Sequence, residues 1–179
     1  MRQRVVLAVG SNLGDRLGIL QGCVQAIGGL PDTDVLAISP VYETAPVGGP
    51  AQPDYLNAVL IASTGLRPLD LLTATQGIEA EFGRVRPRGA ERFGPRTLDI
   101  DIISYAEEVS GDPVLTLPHP RAHERAFVLA PWHDIDTGAS LPGRGPVAGL
   151  LAGLDRRGVR RQPDMVLRRP GPGVPAEIP

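Results

Sequence analysis

The chain has 179 residues, enough for one domain with a substantial core, and its 42% hydrophobic and 21% charged content is that of an ordinary globular protein. A net charge of −2 argues against general nucleic-acid binding, no stretch approaches the roughly 18–20 apolar residues of a membrane span, and the single Cys23 allows no internal disulfide. All 18 basic residues are arginine, which excludes a P-loop lysine, a protein-kinase strand lysine and Schiff-base chemistry. The lone cysteine makes the cytoplasm the expected compartment, and the early run "VVLAVG" is too short for a secretory segment.

Val5 to Val9 reads as a buried strand and "GSNLGD" as its turn, with Ser11 or Asn12 serving as an ordinary helix N-cap. From Asp15 to Ile27, Leu17, Leu20, Val24 and Ile27 recur at helical spacing until Gly28-Gly29 ends the pattern. Cys23 lies inside that pattern and is expected to pack in the core rather than react. Thr33 to Thr44 is expected to be one extended strand, with Pro40 marking an edge or bulge. Ala45 to Asp54 is a Pro/Gly-rich loop, and Tyr55 to Ser63 is strand-like. Pro68 suits the first turn of a helix running to about Phe82, with Leu69, Leu72, Gln76 and Glu79 marking successive turns.

Gly83 to Pro95 is an arginine-laden loop without an apolar period. The strand after it carries Leu98, Ile100 and Ile102 in alternation with Asp99 and Asp101, so both acids share one face. A hairpin through "EEVSGD" leads into Val114 to Leu117. The order so far is β-α-β-β-α-β, the split βαβ of ferredoxin-like folds, which predicts an α+β domain with its helices on one face of an antiparallel sheet. The C-terminal extension begins with "PHPRAHERAFVLAPW", which reads as a turn, a short helix and an apolar segment. Pro146 to Leu154 reads as another short helix and Met165 to Leu167 as a short strand. One domain is expected over residues 1–168, followed at 169–179 by a Pro/Gly tail with nothing to bury, expected to be disordered.

Three constellations could carry chemistry. Asp99 and Asp101 stand about 6.6 Å apart along the strand. They are either two solvated acids or a magnesium–triphosphate platform, because magnesium takes one or two carboxylates plus substrate phosphates. Arg84, Arg86, Arg88, Arg92 and Arg96 precede them, and guanidinium binds phosphate bidentately without losing its charge. Cations and acids together favour a metal–phosphate site over an RNA platform, which would display aromatic residues on the sheet; only 4% of the residues here are aromatic. His119 sits between two prolines, outside any regular helix, and taken alone reads as a turn histidine ahead of a site residue; Arg125 by itself is ambiguous. Tyr55 and Asn57 share a strand face and could stack a flat heterocycle and bond its edge, or could simply pack and cap.

The blocks "VGSNLGD", "YETAPVGGPAQPDYLNAV", "TQGIEAEFGRVR", "RFGPRTLDIDII" and "LPHPRAHERAFVLAPW", in this order, resemble the 6-hydroxymethyl-7,8-dihydropterin pyrophosphokinase family of folate biosynthesis. The resemblance spans nearly all of the chain to about residue 135, and its most specific segment is Arg92 to Ile103. It implies transfer of the terminal pyrophosphate of ATP to the pterin hydroxymethyl group, with release of AMP. Asp99 and Asp101 would then hold two magnesium ions (Mg2+), and Arg84 and Arg96 would assist transfer. Gln76, Glu79, Arg86, Arg92, His119 and Arg125 would serve ATP. Tyr55 and Phe127 would sandwich the pterin, joined by Asn57, Phe93 and the segment Thr44, Ala45, Pro46 and Val47. The implied partners are ATP and the pterin, with neither nucleic acid nor a membrane, and a monomer is expected. Phe93 stands where the family often has tryptophan, the arginine loop carries a "PRG"-like insertion, and Val114 stands where some relatives have arginine. Two rivals stand beside this reading: an RNA-binding module of the same topology, and an ordinary kinase or nucleotidyltransferase using the same metal platform.

Overall fold

The computed structural model describes residues 1–46, 50–84 and 94–171. In chain order they form β1 (Gln3–Ser11), α1 (Arg16–Gly28), β2 (Thr33–Ile38), β3 (Val41–Thr44), β4 (Tyr55–Thr64), α2 (Pro68–Glu81) and β5 (Asp99–Tyr105). A small hairpin of β6 (Ser110–Gly111) and β7 (Thr116–Leu117) follows, then a 3-10 turn (Ala122–Glu124) and α3 (Ala126–Ile135). The chain continues through β8 (Ser140–Leu141), β9 (Gly145–Pro146), α4 (Val147–Ala152) and β10 (Val159–Gln162).

The main sheet runs β10-β3-β4-β1-β5, with β2 also paired to β4, and every pairing is antiparallel. Without β10 this is the ferredoxin-like order expected from the sequence. Thr33 to Thr44, expected as one strand, is two: Ser39-Pro40 breaks it, because proline cannot donate to the ladder.

α1 buries Leu20, Cys23, Val24 and Ile27, the stripe its spacing predicts. Burial pushes the Cys23 thiol pKa above its ordinary value, as befits a core residue. Neither Ser11 nor Asn12 caps the helix. Gly14, at φ +68°, turns the chain, and the Asp15 carboxylate accepts the Gly18 N–H at 3.1 Å. On α2 the buried face is Leu71, Thr75, Ile78 and Glu79, whereas Leu69 is half exposed, so the stripe is rotated from the predicted one.

The sheet is covered on both sides. One face packs Leu7, Leu60, Leu98, Ile100 and Ile102 against α1 and α2. The other packs Val6, Val59, Ile61 and Ile103 against Val128, Leu129 and Trp132 of α3 and Val147 and Leu151 of α4. The one-face expectation therefore holds for α1 and α2 but not for the later helices. Double coverage explains why β4 is buried almost throughout and lacks a polar alternation. The "apolar segment" after the expected short helix is itself α3, with Pro131 inside it.

The predicted strand at Met165–Leu167 does not form. The edge strand is Val159–Gln162, whose exposed arginines suit a sheet edge. Leu167 still reaches the first core. Gln21 exchanges two hydrogen bonds with the backbone of Arg168, at 2.9 and 2.8 Å, and Arg169 donates to the Leu36 carbonyl at 3.0 Å, so the chain up to this point docks on α1 and β2. Residues 172–179, the rest of the expected tail, lie outside the described residues.

Candidate active site

Where the ends of β1, β3, β4 and β5 meet the start of α3, the second face of the sheet is left open as a cavity of about 460 Å³. Its two ends differ in chemistry. At one, Asp99 and Asp101 project from β5, while Leu98, Ile100 and Ile102 alternate with them into the core. Both acids are already paired. Asp99 accepts Arg84 Nη1 at 2.7 Å and Arg96 Nη1 at 2.6 Å; Asp101 accepts Arg125 Nη1 at 2.8 Å. Burial opposes the Arg96 charge, but Asp99 more than compensates and holds its pKa above the ordinary value.

Glu79 is buried behind this end. It accepts the Ile100 backbone N–H at 2.8 Å and pairs with Arg84, tying α2 to β5 and to the base of the arginine loop. Among the described residues, Glu79, Asp99 and Asp101 thus face Arg84, Arg96 and Arg125, a balanced set of charges. His119 is fixed by its N–H to the Ile103 carbonyl at 2.9 Å. Its Nδ1 accepts the Arg121 N–H at 3.2 Å, which leaves the proton on Nε2, 3.7 Å from Asp101. Burial pushes the His119 pKa below the usual imidazole value, and Arg125 adds to that against the pull of Asp101.

The other end is flat and mostly uncharged. Tyr55 and Asn57 line the cavity from β4 and Phe127 lines it from α3, together with Thr44, Ala45 and Pro46. Asn57 Nδ2 donates to Thr44 Oγ1 at 2.7 Å, which orients the amide and turns Oδ1 toward Gly10. A Cβ at Gly10 would stand 2.7 Å from that oxygen, so glycine is what lets the amide lie against β1. The Tyr55 hydroxyl, its pKa raised by burial, donates within 3.3 Å of the Gly94 carbonyl and of Gln52. Arg125 joins the two ends: its guanidinium pairs with Asp101 and lies 5.6 Å from the centre of the Phe127 ring.

The structure therefore brings Arg84, Arg96, Asp99, Asp101, His119 and Arg125 together at one end, and Thr44, Ala45, Pro46, Tyr55, Asn57 and Phe127 at the other. Gln76 stands exposed on α2, away from the cavity wall. Val47, Arg86, Arg92 and Phe93 lie outside the described residues. Val114 is exposed in the β6–β7 hairpin.

Sequence reasoning missed two contributors. Asn12 is fully buried and joins three segments: it exchanges hydrogen bonds with Arg96 (2.7 and 3.1 Å) and donates to Gln52 (2.9 Å) and to the Pro53 carbonyl (3.1 Å). The available signal is an amide placed between a strand and the next helix, a pattern that an ordinary N-cap shares. The second is the approach to β10, where Asp155, Arg157 and Val159 wall the cavity. No motif announces it.

Comparison with known proteins follows the same outline. The family described as 7,8-dihydro-6-hydroxymethylpterin-pyrophosphokinase (HPPK) matches residues 6–137. The chain belongs to this family. Its HPPK relatives include the Pseudomonas aeruginosa 2-amino-4-hydroxy-6-hydroxymethyldihydropteridine pyrophosphokinase, 42% identical over 163 residues, covering 91% of this chain and 99% of the relative. The enzyme of the same name from Mycobacterium tuberculosis is 44% identical over 173 residues, covering 88% of each chain. Among solved structures, Plasmodium falciparum HPPK-DHPS superposes with a TM-score of 0.67 at 13% identity, a likeness of fold over 85% of this chain. This chain spans only 43% of the length of that HPPK-DHPS chain. The match to residues 6–137 covers both ends of the cavity except the wall from 155 to 159.

Proposed function

We propose that this HPPK-family chain transfers the terminal diphosphate of ATP to the hydroxymethyl group of 6-hydroxymethyl-7,8-dihydropterin and releases AMP, a step in folate biosynthesis. The observation that carries the reading is one cavity with Asp99 and Asp101 among arginines at one end and the Tyr55–Asn57–Phe127 slot at the other. The membership of the chain in the family, along with the names of its relatives, supports it.

The residues present fit magnesium. Asp99 and Asp101 offer hard carboxylate oxygens from one strand face, and the described residues form no closed cage of three or more such ligands. That is the arrangement of an ion completed by substrate phosphates. Charge balance points the same way: the acids already neutralise Arg84, Arg96 and Arg125, so a polyphosphate needs cations of its own. Two magnesium ions, held by Asp99 and Asp101, would supply charge neutralisation on the phosphates and activation of the attacking hydroxyl.

The chain's own residues do the rest. Arg84, Arg96 and Arg125 exchange carboxylate partners for phosphate oxygens, a swap that planar guanidinium groups make without a change of protonation. His119, neutral with its proton on Nε2, donates a hydrogen bond at the same end. Tyr55 and Phe127 hold the heterocycle between their rings, and Asn57 Oδ1 accepts from its edge. Together they bring the hydroxymethyl oxygen into line with the β-phosphorus, and phosphoryl chemistry depends chiefly on such positioning.

Product analysis tests the reading. With ATP, magnesium and the pterin, AMP should form only when all three are present. ADP would assign an ordinary kinase, free pyrophosphate a nucleotidyltransferase, and magnesium-independent RNA binding without AMP the binding module.

A further inference from the structure

On the sheet face away from the cavity, charged side chains join parts of the molecule that the reaction does not touch. Pairing of β3 with β4 ends at Thr44 and Tyr55, and the described residues between them, 45–46 and 50–54, lie outside the sheet. Glu43 precedes this excursion and shares the strand face of Val41, opposite that of Thr44. Asp54 closes it, one residue before Tyr55. Two arginines each bridge these ends with a single nitrogen. Arg16 Nη1 donates to Glu43 Oε1 at 3.1 Å and to the Asp54 carbonyl at 2.7 Å. Arg160 Nη2 donates to Asp54 Oδ2 at 3.0 Å and Glu43 Oε2 at 3.4 Å, and Gln162 Nε2 reaches the same Glu43 oxygen at 3.3 Å.

Arg16 opens α1 and Arg160 belongs to β10, so a helix and the edge strand grip the excursion from two sides. We infer that Arg16 and Arg160 form a positioning clamp that fixes Thr44 and Tyr55 opposite Phe127 and so sets the affinity of the flat slot. The inference rests on the reading of that slot as the pterin site. None of Arg16, Glu43, Asp54 and Arg160 lines the cavity, so the clamp acts on geometry and not on the reacting atoms. A lone exposed ion pair contributes little, but four charged groups sharing contacts, with the Glu43 side chain only 22% exposed, make a network. β10 itself lies beyond the part of the chain that matches the family, which makes Arg160 a feature of the C-terminal extension.

The test uses the full chain and the variants Arg160→Ala and Arg160→Lys. In Arg160→Ala the pterin KM should rise about threefold to tenfold, with kcat and the ATP KM within about twofold of the parent. Arg160→Lys should restore the pterin KM, because one nitrogen makes both contacts and an ammonium can replace it. Hydrogen exchange should quicken over residues 41–46 and 50–56 in the alanine variant and stay near the parent's in the lysine variant. An unchanged pterin KM in Arg160→Ala, or a loss that lysine fails to restore, overturns the clamp. If the parent itself releases no AMP, the functional reading fails, and exchange alone decides: faster exchange upholds the clamp and unchanged exchange overturns it.

Discussion

At the charged end of the cavity, the two acids stand at the start of the edge strand β5 and are held by ions of opposite sign. At the flat end, the groups come from β1, β3, β4 and α3 and are oriented by neutral hydrogen bonds and by the absence of a side chain at Gly10. The first end is strung for exchange: every carboxylate there has a guanidinium partner that a phosphate can take over. The second is set in advance, with the Asn57 amide aimed before any ligand arrives. A reaction with a mobile, highly charged donor and a rigid, neutral acceptor asks for that division.

Substitutions that break one end and spare the other sharpen the contrast. The largest effect is expected from Asp99→Ala or Asp101→Ala: AMP release should fall by about a thousandfold or more, while pterin binding and Tm stay near the parent's. Calorimetric pterin titration beside the activity assay checks both halves, and retained turnover at ordinary magnesium would refute the role of the acids. Next comes Arg96→Lys, expected to lower kcat about tenfold to a hundredfold with pterin KM unchanged, since a point charge cannot reproduce the bidentate fork. A near-normal kcat would reduce Arg96 to bulk charge. Tyr55→Ala should do the reverse, raising pterin KM about tenfold while the ATP KM holds, from the loss of one stacking face. Equal shifts in both KM values would mean the ends are not separable.

The smallest effect is one of pH. Folded His119 titrates below the free imidazole value, so as the pH falls the unfolded chain takes up its proton first. Its contribution to stability is therefore complete above about pH 6.5 and is lost as the pH falls below that value. His119→Gln should flatten the decline of Tm between pH 6.5 and 5; an unaltered decline would place its cause in other groups.

The two ends also differ in how far the sequence reveals them. Asp99 and Asp101 betray their shared face through strict alternation with Leu98, Ile100 and Ile102, and the run of arginines before them supplies the context. Local periodicity suffices because one strand carries the motif. The flat end depends on long-range pairing: Gly10 opposite Asn57, Thr44 opposite Tyr55, and Phe127 brought over from α3. Tyr55 and Asn57 share a face by spacing alone, but their slot needed the resemblance to be read. Asn12 is not legible as a site residue because a buried amide and an N-cap look alike in sequence; in the structure the cap is Asp15. β10 escaped because "VRRQ" buries almost nothing; its place comes from pairing with β3 and from charges on other elements. α3 is legible only as an apolar segment, because "AFVLAPW" is apolar on every side and shows no helical period; it packs as a helix against β4 and α4.

The central claim is that the chain moves two phosphates together from the charged end to a pterin held at the flat end. ATP carrying distinguishable labels on its β- and γ-phosphates tests it directly, with the parent protein, magnesium and 6-hydroxymethyl-7,8-dihydropterin. Both labels should appear on the pterin in equal amounts, matched by unlabelled AMP. Transfer of the γ label alone, with the β label left on ADP, would contradict the account.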